Sequence, residues 1–306
     1  MLKVALIFPG QGAQFIGMGR EFYDSSPHAK AIFDEANSVI PSLTDVIFNG
    51  PQEKLTTTAF CQPAIFAFSI AALKAFQAHP KYQNIQPQFT CGLSLGELSA
   101  VCASGAVTFK DGLRLVERRS FFMDEATKMK KGAMAAVLGF DQAKLVAICN
   151  ATGAQVANFN SPDQIVITGD AEKVAAASTM IQEAGAKRVI ALDVAGAFHS
   201  ELMAPAVPKF ATELQRVAIG IARFPILSNV DGIPATDPQT IRHNLARQIT
   251  SSVQWVKSVE AIASRGVVHF IEIGPGTVLK GLIRKINKDL VVANIQKPED
   301  VESLNF

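Results

Sequence analysis

The chain has 306 residues, enough for one large or two ordinary domains. Hydrophobic residues make up 48% and charged residues 18%, which excludes a disordered chain and allows a sizeable core. A net charge of +2, with no basic block interleaved with aromatics, argues against a nucleic-acid partner.

Residues 3–8 are continuously apolar, as in a strand buried on both faces of a parallel sheet. The run is short, lacks a signal-peptide cleavage region and leads directly into Pro9-Gly10, so it reads as a strand and not as a targeting segment. The loop Pro9-Gly10-Gln11-Gly12-Ala13-Gln14 fails the GxGxxG pattern of a dinucleotide site, because Gln11 stands between its glycines. A plain turn and a backbone N–H donor beside an active site both remain open for it. Helical stretches follow at 18–25 and 27–39, and 63–77 is apolar nearly all round, as a central buried helix is. Its longest apolar run, 63–73, is broken by Ser69 and falls short of the ~20 residues a membrane span needs. The expectation is a soluble, cytoplasmic chain with no membrane partner.

A strand at 89–93 runs into Gly92-Leu93-Ser94-Leu95-Gly96, and a helical run follows at 95–103. Gly-x-Ser-x-Gly between a strand and a helix is the context of a nucleophile elbow, which lifts a serine above the end of a sheet. Ser94 is therefore the candidate nucleophile. The helix beginning beside it favours negative charge. Thr108 can cap the next helix, with Asp111 at the capping-box position. That helix carries Arg118 and Arg119 at 113–123. Spacing alone favours two solvated arginines; an arginine turned into a cleft would suit a carboxylate through two parallel hydrogen bonds.

From 132 to 192 the pattern changes to strand 133–138, helix 141–149, strands 156–159 and 165–168, helix 171–184 and strand 188–192. The two middle strands are separated by the turn residues Asn160-Ser-Pro-Asp163. This βαββαβ order is the ferredoxin-like unit. After it come a helix at 201–217, a short strand at 225–228, helices at 238–248 and 253–265, a strand at 267–273, a helix at 278–287 and a last strand at 290–295. The alternating pattern of the first part resumes, which implies one parallel sheet built from both ends of the chain. The predicted organisation is an α/β-hydrolase-like large domain, 1–130 with 196–306, and an inserted small domain, 131–195.

A serine needs a base. Of the five histidines, His269 lies in a strand, and His28, His79 and His243 sit among polar residues. His199 lies in a loop where the chain leaves the small domain, a place that faces a cleft between domains. It is the candidate base. No Asp or Glu presents itself as a triad acid. Glu97 occupies a first helical turn, where an acid is favoured by the helix dipole, and reads as non-catalytic. The cysteines Cys61, Cys91, Cys102 and Cys149 form no CxxC pair and have no histidines at zinc-ligand spacing. They read as buried thiols of a reducing compartment, with no metal site.

Taken together, Gly10-Gln11-Gly12-Ala13-Gln14, Gly92-Leu93-Ser94-Leu95-Gly96-Glu97, Glu117-Arg118-Arg119-Ser120, Gly196-Ala197-Phe198-His199-Ser200, Val253-Gln254-Trp255 and Gly274-Pro275-Gly276 closely resemble the malonyl-CoA:acyl carrier protein transacylases, in order and over essentially the full length. Acyltransferase domains of polyketide synthases share the plan. The resemblance implies ping-pong transfer of a malonyl group from coenzyme A to the phosphopantetheine thiol of acyl carrier protein, with Ser94 as nucleophile and His199 as base. It also implies an oxyanion hole from the backbone N–H groups of Gln11 and Leu95, and Arg119 as the anchor of the malonyl carboxylate. Gln254 would orient the histidine through its backbone carbonyl, which would replace the triad acid. Asn158 and Asn160 would lie near the substrate entrance. The Gly-Ala-Phe-His form resembles the malonyl-selective version of that loop. No cofactor is implied beyond the coenzyme A thioester as substrate, and the chain is expected to act as a monomer. The acidic carrier protein would dock on basic residues such as Lys187, Arg188, Arg284 and Lys285.

Two positions depart from the family pattern: Leu93 stands where many members have histidine, and Ser120 where the glycine after the arginine is usual. A polyketide-synthase acyltransferase and a serine hydrolase or thioesterase are the alternatives. Arg119 weighs against the hydrolase, because a simple esterase has no use for a carboxylate clamp.

Overall fold

A computed structural model describes residues 1–304. A six-stranded sheet holds β1 (Leu2–Phe8) and β2 (Ile85–Gly92), and a second, four-stranded sheet holds β3 (Gly132–Leu138), β4 (Gln155–Ser161), β5 (Gln164–Asp170) and β6 (Arg188–Ala191). The chain then returns to the first sheet with β7 (Ile226–Leu227), β8 (Pro234–Ala235), β9 (His269–Ile273) and β10 (Val291–Ile295). The order of the large sheet is β10-β9-β1-β2-β7-β8, parallel except for the β7–β8 pair at its edge.

The apolar run of β1 is explained by its place. Val4, Leu6 and Phe8 enter one core cluster, while Ala5 and Ile7 enter another on the opposite face. Successive side chains of a strand point to opposite faces, so a strand covered on both sides must be apolar throughout. The larger of these side chains each contribute about 1.5–3 kcal/mol by burial, which anchors the strand that delivers the Gln11 loop. The helix Thr58–Ala78 is long and apolar enough to cross a membrane by length and composition, but here it is the central core helix, with Phe66, Phe68 and Phe76 fully buried.

In the small sheet the order is β4-β5-β3-β6, with every neighbouring pair antiparallel. The period of two is again legible. Ala135, Val137, Ile165 and Ile167 pack under the helices Gln142–Thr152 and Ala171–Glu183 in a core of their own. Met134, Ala136 and Val166 face the large core instead. The two parts are joined by hydrogen bonds as well. Val253 N–H donates to Ala157 O (2.7 Å), Phe159 N–H donates to Val253 O (2.9 Å), and Thr168 Oγ1 donates to Phe198 O (2.9 Å).

Several expected boundaries move. The helix predicted at 201–217 is broken into a 3₁₀ turn, Glu201–Met203, and a helix, Ala206–Arg216, because Pro205 has no N–H to continue the ladder. The helix predicted to begin at 253 begins at Trp255, because Val253 is held in the bridge to Asn158. Asn160, expected in a turn, lies in β4, and the turn narrows to Pro162 and Asp163. Short helices at Leu43–Asn49, Gln52–Thr56 and Pro298–Glu302 carry too few periodic residues to be read from sequence.

Candidate active site

Strand β2 ends at Gly92, and the helix Leu95–Ala103 begins three residues later. Ser94 between them has φ 54° and ψ −104°, a conformation that costs a non-glycine residue about 1–3 kcal/mol. The glycines permit the turn. A Cβ on Gly92 would lie 2.0 Å from the Gly96 carbonyl carbon, and one on Gly96 would lie 2.1 Å from Phe8 O. Asn229, just after β7, closes the elbow: its Oδ1 accepts from Ser94 N–H (2.7 Å) and its Nδ2 donates to Gly92 O (2.7 Å). Leu95 is the first residue of its helix, so its N–H belongs to the set with no intrahelical acceptor.

The structure brings His199 to the serine, with Nε2 2.7 Å from Ser94 Oγ. His199 is itself in the left-handed region, with φ 58°. Its Nδ1 lies 3.0 Å from Gln248 O and 3.1 Å from Ser251 O. Both are acceptors only, so Nδ1 carries the ring proton and Nε2 is left to accept from the serine hydroxyl. The carbonyl expected from Gln254 is engaged elsewhere. Gln254 stands at the N-cap of the helix Trp255–Ala263, and its carbonyl accepts from Ser258 N–H (3.0 Å) and Ser258 Oγ (3.1 Å). Gln248 takes the place that reading gave to Gln254. It ends the helix Pro238–Gln248, where the last carbonyls lack intrahelical donors; only a long contact from Ser251 N–H (3.4 Å) reaches its oxygen, which leaves a lone pair for the imidazole. Burial and, next, the Arg119 charge push the His199 pKa down to about 4, so the ring is neutral near pH 7.

Arg119 is 1% exposed, while Arg118 beside it faces solvent. Its Nη1 donates to Gln62 Oε1 (2.7 Å), and its Nη2 donates to Gln248 Oε1 (2.8 Å) and Ser94 Oγ (3.0 Å). Nε has no partner among the described residues. No salt bridge joins Arg119 to a carboxylate among them either. Burial lowers its pKa to about 10, an effect that Glu97 opposes. A buried guanidinium with no salt bridge among the described residues, in contact with a serine hydroxyl, has the chemistry to receive a carboxylate.

These groups open on a cavity of about 250 Å³ between the large core and the small sheet. Gln11 and Leu95 line it on one side. Asn158 and Asn160 line it from β4; they are 7% and 8% exposed, and Asn160 Oδ1 has no partner among the described residues. Met123, Met134, Leu192 and Phe198 make its wall apolar. Leu93 lines it too and packs against the core cluster behind β1, which accounts for an apolar residue before the serine. Ser120 is buried with its Oγ donating to Glu117 O (2.8 Å), so the hydroxyl is satisfied inside its own helix. All four cysteine thiols are pushed up by burial, which leaves none as a competing nucleophile at neutral pH.

Sequence reasoning missed Gln62, Asn229 and Gln248. Gln62 had a signal: it is a buried amide that directly precedes the apolar run 63–68 of its helix. Asn229 and Gln248 had none, because each is an ordinary polar residue until the fold carries it to the elbow.

Residues 5–302 match the acyl transferase domain family. A malonyl CoA-acyl carrier protein transacylase of Bacillus subtilis (strain 168) is 44% identical over 308 residues, covering 99% of this chain and 96% of that one. The crystal structure of an acyl-carrier-protein-S-malonyltransferase from Bartonella henselae aligns with a TM-score of 0.94 at 37% identity, over 99% of this chain and 98% of that one. A malonyl-transacylase in complex with its type II PKS acyl-carrier protein aligns equally well, with a TM-score of 0.94 at 36% identity over 99% and 98% of the two chains. With this mixed α/β fold and similarity along its whole length, the chain belongs to the acyl transferase family, among the malonyl CoA-acyl carrier protein transacylases.

Proposed function

We propose that this chain transfers a malonyl group from coenzyme A to the phosphopantetheine thiol of acyl carrier protein through a malonyl ester of Ser94, for fatty acid synthesis. The observation that carries the proposal is Arg119, a buried cation with no ion pair among the described residues, 3.0 Å from Ser94 Oγ. A malonyl thioester brings the one thing this site lacks, a carboxylate a short distance from an electrophilic carbonyl.

His199 Nε2 takes the Ser94 proton as Oγ attacks the thioester carbonyl. The negative oxygen that forms faces the N–H groups of Gln11 and Leu95, each of which is typically worth about 3 kcal/mol of barrier. The tetrahedral intermediate collapses with cleavage of the C–S bond, and the proton on His199 passes to the departing coenzyme A thiolate. The thiol of the carrier then attacks the malonyl ester, His199 accepting its proton and returning it to Ser94 Oγ. The thioester is an activated donor, so the reaction requires no metal or organic cofactor. Throughout, Arg119 holds the distal carboxylate, and Asn158 and Asn160 contact the substrate from the small sheet.

We read residues 131–195 as a ferredoxin-like domain inserted into an α/β-hydrolase-like domain made of 1–130 and 196–306. The strand order β4-β5-β3-β6 and the elbow at the end of β2 support that reading. The PKS carrier bound to the related transacylase favours a second reading, in which the acceptor here serves polyketide synthesis. Isotope-labelled malonyl-CoA tests the first step: covalent label on the native protein and none on Ser94→Ala is expected. Label retained by the alanine variant would sink the assignment. Transfer from the loaded enzyme to fatty-acid and polyketide carriers, compared side by side, separates the two readings.

A further inference from the structure

The mechanism leaves one buried ionisable group at the site unused. Glu97 is 2% exposed and lies on the helix that starts at Leu95, three residues after the nucleophile. No lysine or arginine pairs with it among the described residues. Its Oε2 accepts from Gln248 Nε2 (2.6 Å) and from Asn229 N–H (3.2 Å). Both partners touch reacting groups. Gln248 presents Oε1 to Arg119 Nη2 (2.8 Å), Nε2 to Ser94 O (2.9 Å) and its backbone carbonyl to His199 Nδ1 (3.0 Å). Asn229 holds Ser94 N–H and Gly92 O.

We propose that Glu97 is a positioning residue of the acyl-transfer site, which through the Gln248 amide and Asn229 holds the carboxylate anchor, the base and the elbow in one arrangement. The chemistry of an amide makes the case. A side-chain amide can be turned over, and its two ends are nearly isosteric. Turned over here, it would aim N–H groups at the Arg119 guanidinium, and nothing would hold its oxygen. A carboxylate at Glu97 accepts only, so it selects the orientation in which Oε1 faces Arg119. One anionic group thus sets the donor–acceptor sense of the whole chain from Glu97 through Gln248 to Arg119. The charge is also felt directly, since Glu97 opposes the fall in the Arg119 pKa. A buried carboxylate in this place works against stability. Burial pushes its pKa up to about 7, and the charged or ionisable groups acting on it or on its neighbours are Arg119 from the helix Phe109–Met129, Asp231 from the loop after β7 and the Cys91 thiol on β2. Retaining such a group where it lowers stability is the expected signature of a residue kept for positioning.

The inference rests on the acyl-transfer reading, and its test keeps the two apart. Native protein, Glu97→Gln and Glu97→Asp are compared in malonyl loading, in malonyl-over-acetyl preference and in reaction of Ser94 with a fluorophosphonate. The last probe reads the Ser94–His199 pair without any carboxylate or coenzyme A. Glu97→Gln is expected to unfold no earlier than the native protein at pH 8, yet to lose malonyl-loading kcat/KM about tenfold or more, with a reduced malonyl preference and slower phosphonylation. Glu97→Asp, which keeps the charge, should recover part of each. The native loading rate should fall with an inflection near pH 7 that the glutamine variant lacks. Unchanged loading and preference in Glu97→Gln would overturn the proposal, as would losses that simply track a lower melting temperature. Should neither variant fold, a native profile flat from pH 8 to pH 5 overturns it alone. Native protein that reacts with the fluorophosphonate but refuses malonyl-CoA would refute the acyl-transfer reading, and the phosphonylation rates would still judge Glu97.

Discussion

The two sheets contribute unequally to the cavity between them. The large sheet and its connections supply the side chains that hydrogen-bond to Ser94: His199, Arg119, Gln248 and Asn229. The small sheet supplies a wall, apolar at Met134, Ala136 and Val166 and polar at Asn158 and Asn160. The difference follows from chain direction. Parallel strands deliver their ends, with the loops and helix starts that follow, to one edge, where N–H groups and strained residues can converge. An antiparallel sheet offers a face instead, on which side chains alternate and no backbone donors are free. Chemistry therefore concentrates at the end of β2, and the small sheet is left to shape what reaches it.

Substitutions can break this contrast. The largest expected effect is at the edge: Ser94→Ala abolishes covalent malonyl loading, as read by mass spectrometry of the intact protein. Arg119→Ala comes next. It is expected to cost malonyl selectivity over acetyl by about 3–5 kcal/mol, since a carboxylate would then be buried without its cation. An unchanged ratio of kcat/KM values for the two thioesters would remove Arg119 from the site.

A pH series sharpens the comparison, because the edge holds opposing ionisations. The depressed His199 pKa means that stability from the neutral ring is present above 6.5 and is lost as pH falls through about 4. Glu97 runs the other way: its raised pKa gives stability that is present below 4.5 and lost as pH rises through about 7. Each contribution is on the order of 3 kcal/mol at most. In the Glu97→Gln variant, loading should stay level from pH 8 to pH 5 and fall only as His199 is protonated near pH 4.

Smaller effects belong to the wall. Asn160→Ala is expected to raise KM for malonyl-CoA severalfold with little change in kcat, because an amide oxygen without a partner among the described residues offers binding and not reaction. A fall in kcat as large as that of Arg119→Ala would make the small sheet part of the reacting edge. The smallest effect is expected at the exposed Arg284 and Lys285, on the helix whose Val278 and Leu282 line the cavity. Reversing both charges should slow transfer to an acidic carrier at low salt while leaving loading from coenzyme A unchanged.

Much of the fold was legible because its signals are local. The apolar run of β1, the strand–serine–helix of the elbow and the short apolar runs of β3 and β5 each follow from neighbours in sequence. His199 was legible from its place in a loop between the two parts. Spacing alone misjudged Arg119, since a helix position next to the exposed Arg118 carries no mark of burial until Gln62 and Gln248 are brought to it. Gln254 was misread for a related reason. It adjoins the right segment, but as the N-cap of a helix its carbonyl is already committed to two donors from Ser258, whereas that of Gln248, at a helix end, meets only a long contact from Ser251 N–H (3.4 Å) besides the imidazole.

By itself, then, the sequence determined the strands, the elbow and the candidate pair Ser94 and His199, because periodicity, glycine placement and residue type act over a few positions. Only the tertiary structure decided which amides and carbonyls support them. Ser94 draws on Gln248, 154 positions away, and on Asn229, 135 away. A hydrogen bond depends on distance and direction, and across such separations those are set by how the sheet and helices pack.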